Sequence, residues 1–298
     1  MTKLGINTDF AGEFEKIEDI RRCLGQIANA GFSHMHWCFE WDGDYLYAVS
    51  EMQQIREWME EYGLKAKSLH ASKGSRRKEV CRIASHYRKD YTSAIEYNRI
   101  AGVELIKNRI ELANVLRATE IVLHMYLPYL DFAKFPDAKE TFYGQVYRSL
   151  DELCDFCREK NVRICIENLF EAPGELQIEQ FDRLFLRYPA DFLGLCLDTG
   201  HANLVGGDAF LAELTGRFQS RLYSIHMHDN NGWGVEHGCN DAHMLPGEGS
   251  IDWPALMKRL RGSAYEAPWV LEVNKPADED AESFLRRAHQ AGEWMAGL

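Results

Sequence analysis

Six short apolar runs in this chain each end on a residue able to bind a metal ion. KAKSLH closes on His70, EIVLH on His124, RICIE on Glu167, LGLCLD on Asp198, YSIH on His226 and WVLE on Glu272. A buried strand gains nothing by finishing on a charged or imidazole side chain, because that group must be desolvated. One such ending is noise. Six of them, spread from His70 to Glu272, predict a ring of strands whose same-side ends converge on one polar site, as in a parallel β/α barrel.

Strand-like and helix-like segments alternate along the chain. The candidate strands are residues 3–7, 32–37, 65–70, 120–124, 162–167, 192–198, 222–228 and 268–274. Helical patterns fall at 17–30, 49–62, 93–116, 144–160, 177–188, 209–216, 253–261 and 280–295. Strict alternation predicts parallel pairing with right-handed crossovers. No proline-rich or glycine/serine-rich linker and no low-complexity tract interrupts it, so one α/β domain, a single (β/α)8 TIM barrel over residues 1–298, is expected. An open doubly wound sheet shares the alternation but usually carries a glycine-rich phosphate turn after its first strand. Here that turn reads Asn7-Thr8-Asp9-Phe10, and no nucleotide cofactor is expected.

With 34 basic and 46 acidic residues, the formal net charge is −12. That balance works against binding a polyanion, so a small molecule is the expected partner and nucleic acid is not. The eight cysteines are scattered, with Cys165 and Cys196 inside core strands, which suits reduced thiols better than a disulfide framework. No apolar stretch approaches the roughly 18 residues of a membrane span. The start, MTKLGINTDF, lacks the charged-then-apolar layout of a signal peptide. The reading is a soluble cytoplasmic protein without a membrane partner, compatible with a homo-oligomer.

Strand side chains alternate between faces, which sorts the residues around each terminal group. Glu167 shares a face with Cys165 and Arg163, while Ile164 and Ile166 point to the helix layer. Glu272 points inward between outward-facing Leu271 and Val273, and His226 and His228 share the inner face. Glu167, Asp198, His226 and Glu272 come from four successive strands and are therefore neighbours around one side of a closed barrel. Three carboxylates and one imidazole suit Mn²⁺ or Zn²⁺, and allow Mg²⁺ or Co²⁺. The competing explanation, strand-end residues paired separately with loop arginines, leaves the mutual repulsion of three buried carboxylates to be relieved piecemeal.

Several segments together resemble a known family: GFSHMHW, the glutamate of RICIENL, LCLDTGHAN, IHMHDNNG and DAHMLPGEGSIDW. They are similar to the xylose isomerase-like TIM-barrel superfamily of sugar (phosphate) isomerases and epimerases, which also contains endonuclease IV-type DNA repair enzymes. The resemblance covers nearly the whole chain. Its most specific parts are Asp198-Thr199-Gly200-His201 and the Asp241/His243 pair followed by Pro246-Gly247-Glu248-Gly249. Resemblance to the ketose 3-epimerases implies that Glu167, Asp198, His226 and Glu272 hold one catalytic divalent ion and that His201 contacts substrate. Resemblance to the endonuclease IV branch adds His70, His124, His201, Asp241 and His243, enough for a trinuclear zinc cluster.

Other candidates are weaker. His228, two residues past His226, reads as a ligand or a hydrogen-bonding pocket wall. His34, His36 and Trp37 suit a sugar site, and Asn168 is placed to orient Glu167. Cys154 and Cys157 fall on or near the apolar stripe of one helix and read as core. His86, His237 and His289 read as surface or loop residues. The basic run Ser75-Arg76-Arg77-Lys78 lies in the long connection 71–91, and a second long connection spans 229–252.

The expected activity is a metal-dependent sugar or sugar-phosphate isomerase or epimerase. One of Glu167 and Glu272 would remove a proton beside a carbonyl, a metal-stabilised ene-diolate would form, and the other glutamate would return the proton. Return to the opposite face gives epimerisation; return to the adjacent carbon gives isomerisation. The alternative is metal-assisted phosphodiester hydrolysis on abasic DNA, favoured by the full histidine set and opposed by the net charge. A barrel that binds a sugar without catalysis is a third possibility.

Overall fold

A computed structural model describes residues 2–12, 14, 16–39, 45–72, 89–232, 240–266 and 268–298. Among these the strands are β1 (Leu4–Asn7), β2 (His34–Trp37), β3 (Lys65–Ser72), β4 (Glu120–Leu123), β5 (Arg163–Glu167), β6 (Leu193–Asp198), β7 (Leu222–His226) and β8 (Trp269–Leu271). The helices are α1 (Ile17–Asn29), α2 (Val49–Glu61), α3 (Glu96–Leu116), α4 (Tyr129–Lys134), α5 (Ala138–Lys160), α6 (Gly174–Arg187), α7 (Thr199–Arg217), α8 (Trp253–Arg261) and α9 (Ala281–Gly297). Every named strand pair is parallel and the sheet order is β7-β6-β5-β4-β3-β2-β1-β8. The β7–β8 seam is drawn together just beyond β7, where Met227 N donates to Val270 O at 2.9 Å and Glu272 N donates to Met227 O at 3.2 Å. The chain therefore folds as the expected (β/α)8 barrel.

The period-2 sorting of the strands decides what lies inside. Ile164, Ile166, Leu195, Leu197, Leu271 and Val273 belong to the large core between strands and helices. Cys165 and Cys196 instead form a small separate cluster with Val122. The helices complete the core with apolar faces at helical spacing, as in α1, which buries Ile20, Cys23, Leu24 and Ile27. Caps fix where some helices start: Asp252 accepts from Ala255 N at 3.0 Å and Asp280 from Ser283 N at 2.9 Å.

Several boundaries differ from the sequence reading. α7 begins at Thr199, not at residue 209, because Asp198 caps it by accepting a 2.6 Å bond from His201 N. Its backbone leaves helical geometry at Gly206 and Gly207, where the helical pattern was broken. The short α4 was not anticipated; none of its residues is fully buried, and its apolar contact with the core is the short pair Tyr129 and Phe132. β7 ends at His226 and β8 at Leu271, so His228 and Glu272 lie just past their strands. His289 corrects the surface-or-loop reading: it sits on α9, half-buried, edge-on to Phe32 at 5.2 Å. Cys157 is buried on α5 and Cys154 half-buried beside it, in keeping with a core role. Residues 75–78, His86 and His237 lie outside the described residues. No described helix is long and apolar enough to cross a membrane.

Candidate metal centre

At the carboxyl ends of the strands, Glu167, Asp198, His226 and Glu272 offer ligand atoms that all lie within 4.8 Å of one another. All four residues are buried. Parallel strands put these ends at one mouth of the barrel, and the register pairs Asp198 directly with His226. His226 Nδ1 lies 3.4 Å from Glu167 Oε2 and 3.1 Å from Glu272 Oε2.

Histidines surround this set. His70 Nε2 is 2.9 Å from Glu272 Oε1, and His124 Nε2 is 3.1 Å from Glu167 Oε2. Below them, His36 packs against His226 and His70 with ring centroids 4.4 and 4.7 Å apart. A neighbouring group joins His201, His228, Asp241 and His243. There His201 Nε2 and His243 Nε2 lie 3.2 and 3.1 Å from Asp241 Oδ2, and the His228 and His243 rings stack at 4.0 Å. His228 also reaches Asp198, with Nε2 2.9 Å from Oδ1, which links the two groups. Asn168 holds the Asp198 backbone at both ends of its amide, donating to Asp198 O at 2.9 Å and accepting from Asp198 N at 2.8 Å. Trp37 is fully buried, with Nε1 donating to Tyr47 Oη at 3.0 Å.

The charges are arranged as acid–imidazole pairs. Burial works against ionising Glu167, but the His124 and His226 imidazoles outweigh it and hold the carboxyl well below the usual carboxylate range. Burial likewise opposes a charge on Glu272, and His226 followed by His70 overcomes it. Burial also opposes a proton on His226, yet Cys196, Glu272 and Glu167 around it draw the ring well above the ordinary imidazole range. His243 is penalised by burial too, but its bond to Asp241 lifts it to about 10. His36 goes the other way: burial, then the His226 and His70 rings, push it well below its ordinary value.

Buried polar atoms are normally hydrogen-bonded. Here neither ring nitrogen of His226 has a hydrogen-bond partner, and neither does Glu167 Oε1. A divalent cation would satisfy these atoms and supply the carboxylates with a counter-charge. The donor set fits such an ion.

All the strand-end residues singled out from the sequence, together with His201, Asp241 and His243, thus gather at this one mouth. One member was overlooked there. Cys196 offers its sulfur to a group with Glu167 and His226. Its signal was available, since the alternation places it on the same face as Asp198, two residues later.

The profile of the xylose isomerase-like TIM barrel family matches residues 24–291. An uncharacterized protein of Sinorhizobium fredii, y4fM, is 34% identical over 282 residues, covering 91% of this chain and 87% of that protein. Among solved structures, D-psicose 3-epimerase, determined in the presence of D-fructose, is similar with a TM-score of 0.74 and 16% identity, covering 100% of both chains. The 3-keto-D-glucoside 4-epimerase YcjR of E. coli has a TM-score of 0.70 and 17% identity, again covering 100% of both. At these identities the likeness is one of fold.

Proposed function

The chain belongs to the xylose isomerase-like TIM-barrel family, and from that membership and the site's geometry we propose that it is a divalent-metal-dependent sugar or sugar-phosphate isomerase or epimerase. One observation carries the reading: two buried glutamates, Glu167 and Glu272, flank His226 within a common ligand set that Asp198 completes. A divalent cation held by these four residues, Mn²⁺ or Zn²⁺ by donor type, supplies a Lewis acid that acidifies a C–H beside carbonyl and hydroxyl oxygens.

The proton itself is the work of the glutamates. One carboxylate removes it from one side of the reacting carbon, and the other delivers a proton to the opposite face or to the adjacent carbon. Each glutamate has an imidazole at hydrogen-bond distance, His124 for Glu167 and His70 for Glu272, able to share the proton between the two half-reactions. His201, beside the set, is assigned to substrate hydroxyls, and His228, expected as a ligand or pocket wall, holds the Asp198 carboxylate with Nε2 2.9 Å from its Oδ1. Asn168, whose amide is engaged by the Asp198 backbone, holds that ligand in place. Trp37, expected at a sugar site, instead alternates away from inward-facing His36 into the core between strands and helices and bonds Tyr47.

The test is solvent exchange. Protein loaded with Mn²⁺ is incubated in D2O with ketohexoses, their phosphates and keto-glycosides, and deuterium at carbon is followed by NMR. Incorporation with at least one sugar, with net conversion lost in both Glu167→Gln and Glu272→Gln and wash-in lost in the one that removes the base, is the expected result. No exchange across the panel would remove the reading.

Phosphodiester hydrolysis on abasic DNA is favoured by one specific observation. His70, His124 and Glu167 form a further ligand-capable group that shares Glu167 with the principal set, and His201, Asp241 and His243 lie close by. The net charge of −12 opposes it, since affinity for DNA comes largely from neutralising phosphates. Chelator-sensitive cleavage of an abasic duplex, with no sugar exchange, would reverse the order of the two.

A further inference from the structure

We propose that the barrel holds a second, nitrogen-rich cation position beneath the first, formed by His36, His70, His226 and Glu272. It rests on the reading of Glu167, Asp198, His226 and Glu272 as a cation site, because the two positions share His226 and Glu272. The ligand atoms of His36, His70, His226 and Glu272 all lie within 4.8 Å of one another, and all four residues are buried.

His36 is the residue that distinguishes it. Its Nδ1 shares a 2.8 Å hydrogen bond with Ser68 Oγ, which fixes the ring, while Nε2 is fully buried and has no hydrogen-bond partner. With the proton on Nδ1, the Nε2 lone pair is free for an ion. A buried imidazole nitrogen left without a partner has a desolvation cost that a ligated ion removes. Glu272 can serve both positions, because its two oxygens already point to different rings, Oε1 to His70 and Oε2 to His226.

The two positions differ in chemistry. The upper set has three carboxylates and one imidazole, which accepts Zn²⁺ but suits the harder Mn²⁺ better. The lower has three imidazoles and one carboxylate, a four-donor set suited to Zn²⁺. Glu272 can bridge two ions, but a neutral His226 offers its single lone pair to only one, so the two positions cannot both be filled with full ligand sets. The metal supplied then selects the position, and Zn²⁺ bound below expels Mn²⁺ from above.

The experiment titrates Zn²⁺ into Mn²⁺-loaded protein and follows released Mn²⁺ by EPR, in wild type and in His36→Asn. Asparagine keeps a polar atom near Ser68 but removes the Nε2 donor. The expected result is a Zn²⁺ midpoint raised about tenfold or more in His36→Asn, as for loss of a ligand or of its support, with Mn²⁺ affinity within about twofold of wild type. Ser68→Ala, which frees the ring without deleting it, should shift the midpoint in the same direction and decides the matter if His36→Asn does not fold. A midpoint unmoved in both variants overturns the lower position and leaves the upper one standing. A wild-type protein that binds no Mn²⁺ overturns both, whereas Mn²⁺ binding without sugar exchange overturns only the proposed activity.

Discussion

Glu167 and Glu272 converge on one imidazole edge, with His226 Nδ1 3.4 Å from Glu167 Oε2 and 3.1 Å from Glu272 Oε2. The two carboxylates arrive from β5 and from the residue just past β8, on opposite sides of β6 and β7. Two acids that meet a shared group from different strands can act on two sides of a bound molecule. A pair on one strand cannot.

If that pair moves the proton, replacing either glutamate by glutamine should lower turnover by about 10²- to 10⁴-fold, the usual contribution of a positioned acid or base. The two variants should differ in kind. Removing the base that takes the proton stops deuterium wash-in, whereas removing its partner leaves wash-in measurable while net conversion falls. Equal loss of both signals in both variants would argue against a division of labour.

Removal of metal should show in stability as well as in activity. Buried carboxylates that face one another across imidazoles gain a better counter-charge from a divalent ion. At a free ion concentration about 100 times its dissociation constant the folded state gains about 2.7 kcal/mol, a rise of roughly 5 °C in midpoint for a chain of this length. Thermal unfolding after chelation and after re-addition of Mn²⁺ measures it. Identical midpoints would mean that the carboxylates are content with their histidines.

Gly200 explains how His228 comes so close to Asp198. A Cβ on Gly200 would fall within the His228 ring, so an alanine there must drive the imidazole off the carboxylate. Gly200→Ala should cost about 1–3 kcal/mol in unfolding free energy, the usual range for overpacking. It should also weaken Mn²⁺ binding about tenfold through the lost support of Asp198. Adding His228→Ala to Gly200→Ala should restore the stability but not the affinity. Recovery of both would show that His228 merely occupies space.

Much of this centre was legible because each strand ended on its chemistry. The residues before Glu167, Asp198 and Glu272 alternate faces, and the fold needs only parallel closure to bring their ends together. Less legible were features that depend on what lies beneath. Cys196 reads as an ordinary core thiol, although the alternation that puts it on Asp198's face carries it to Glu167 and His226. His36 reads as a sugar contact in HMHW, but closure buries it under three other ligand-capable side chains. The early start of α7 was hidden because TGHAN has no apolar repeat; its N-terminus is set by Asp198 as a cap.

His34 provides a pH test away from the centre. Partial burial, then the positive charges of Lys65, Lys3 and Lys67, lower its pKa to about 4 from an ordinary 6.5. The unfolded chain therefore takes up a proton near pH 6.5 that the folded chain refuses until about pH 4. Between those values unfolding is favoured by proton binding, so this residue's contribution to stability is present above pH 6.5 and is lost as the pH falls through the window. His34→Gln removes the titration. Urea unfolding at pH 7, 6, 5 and 4 should show the variant losing less stability than the wild type on acidification, with the gap opening between pH 6.5 and 4. The effect should be modest, because the ring is half-exposed and solvent screens the lysines. A difference between the two proteins that stays constant with pH would place His34 outside the acid response.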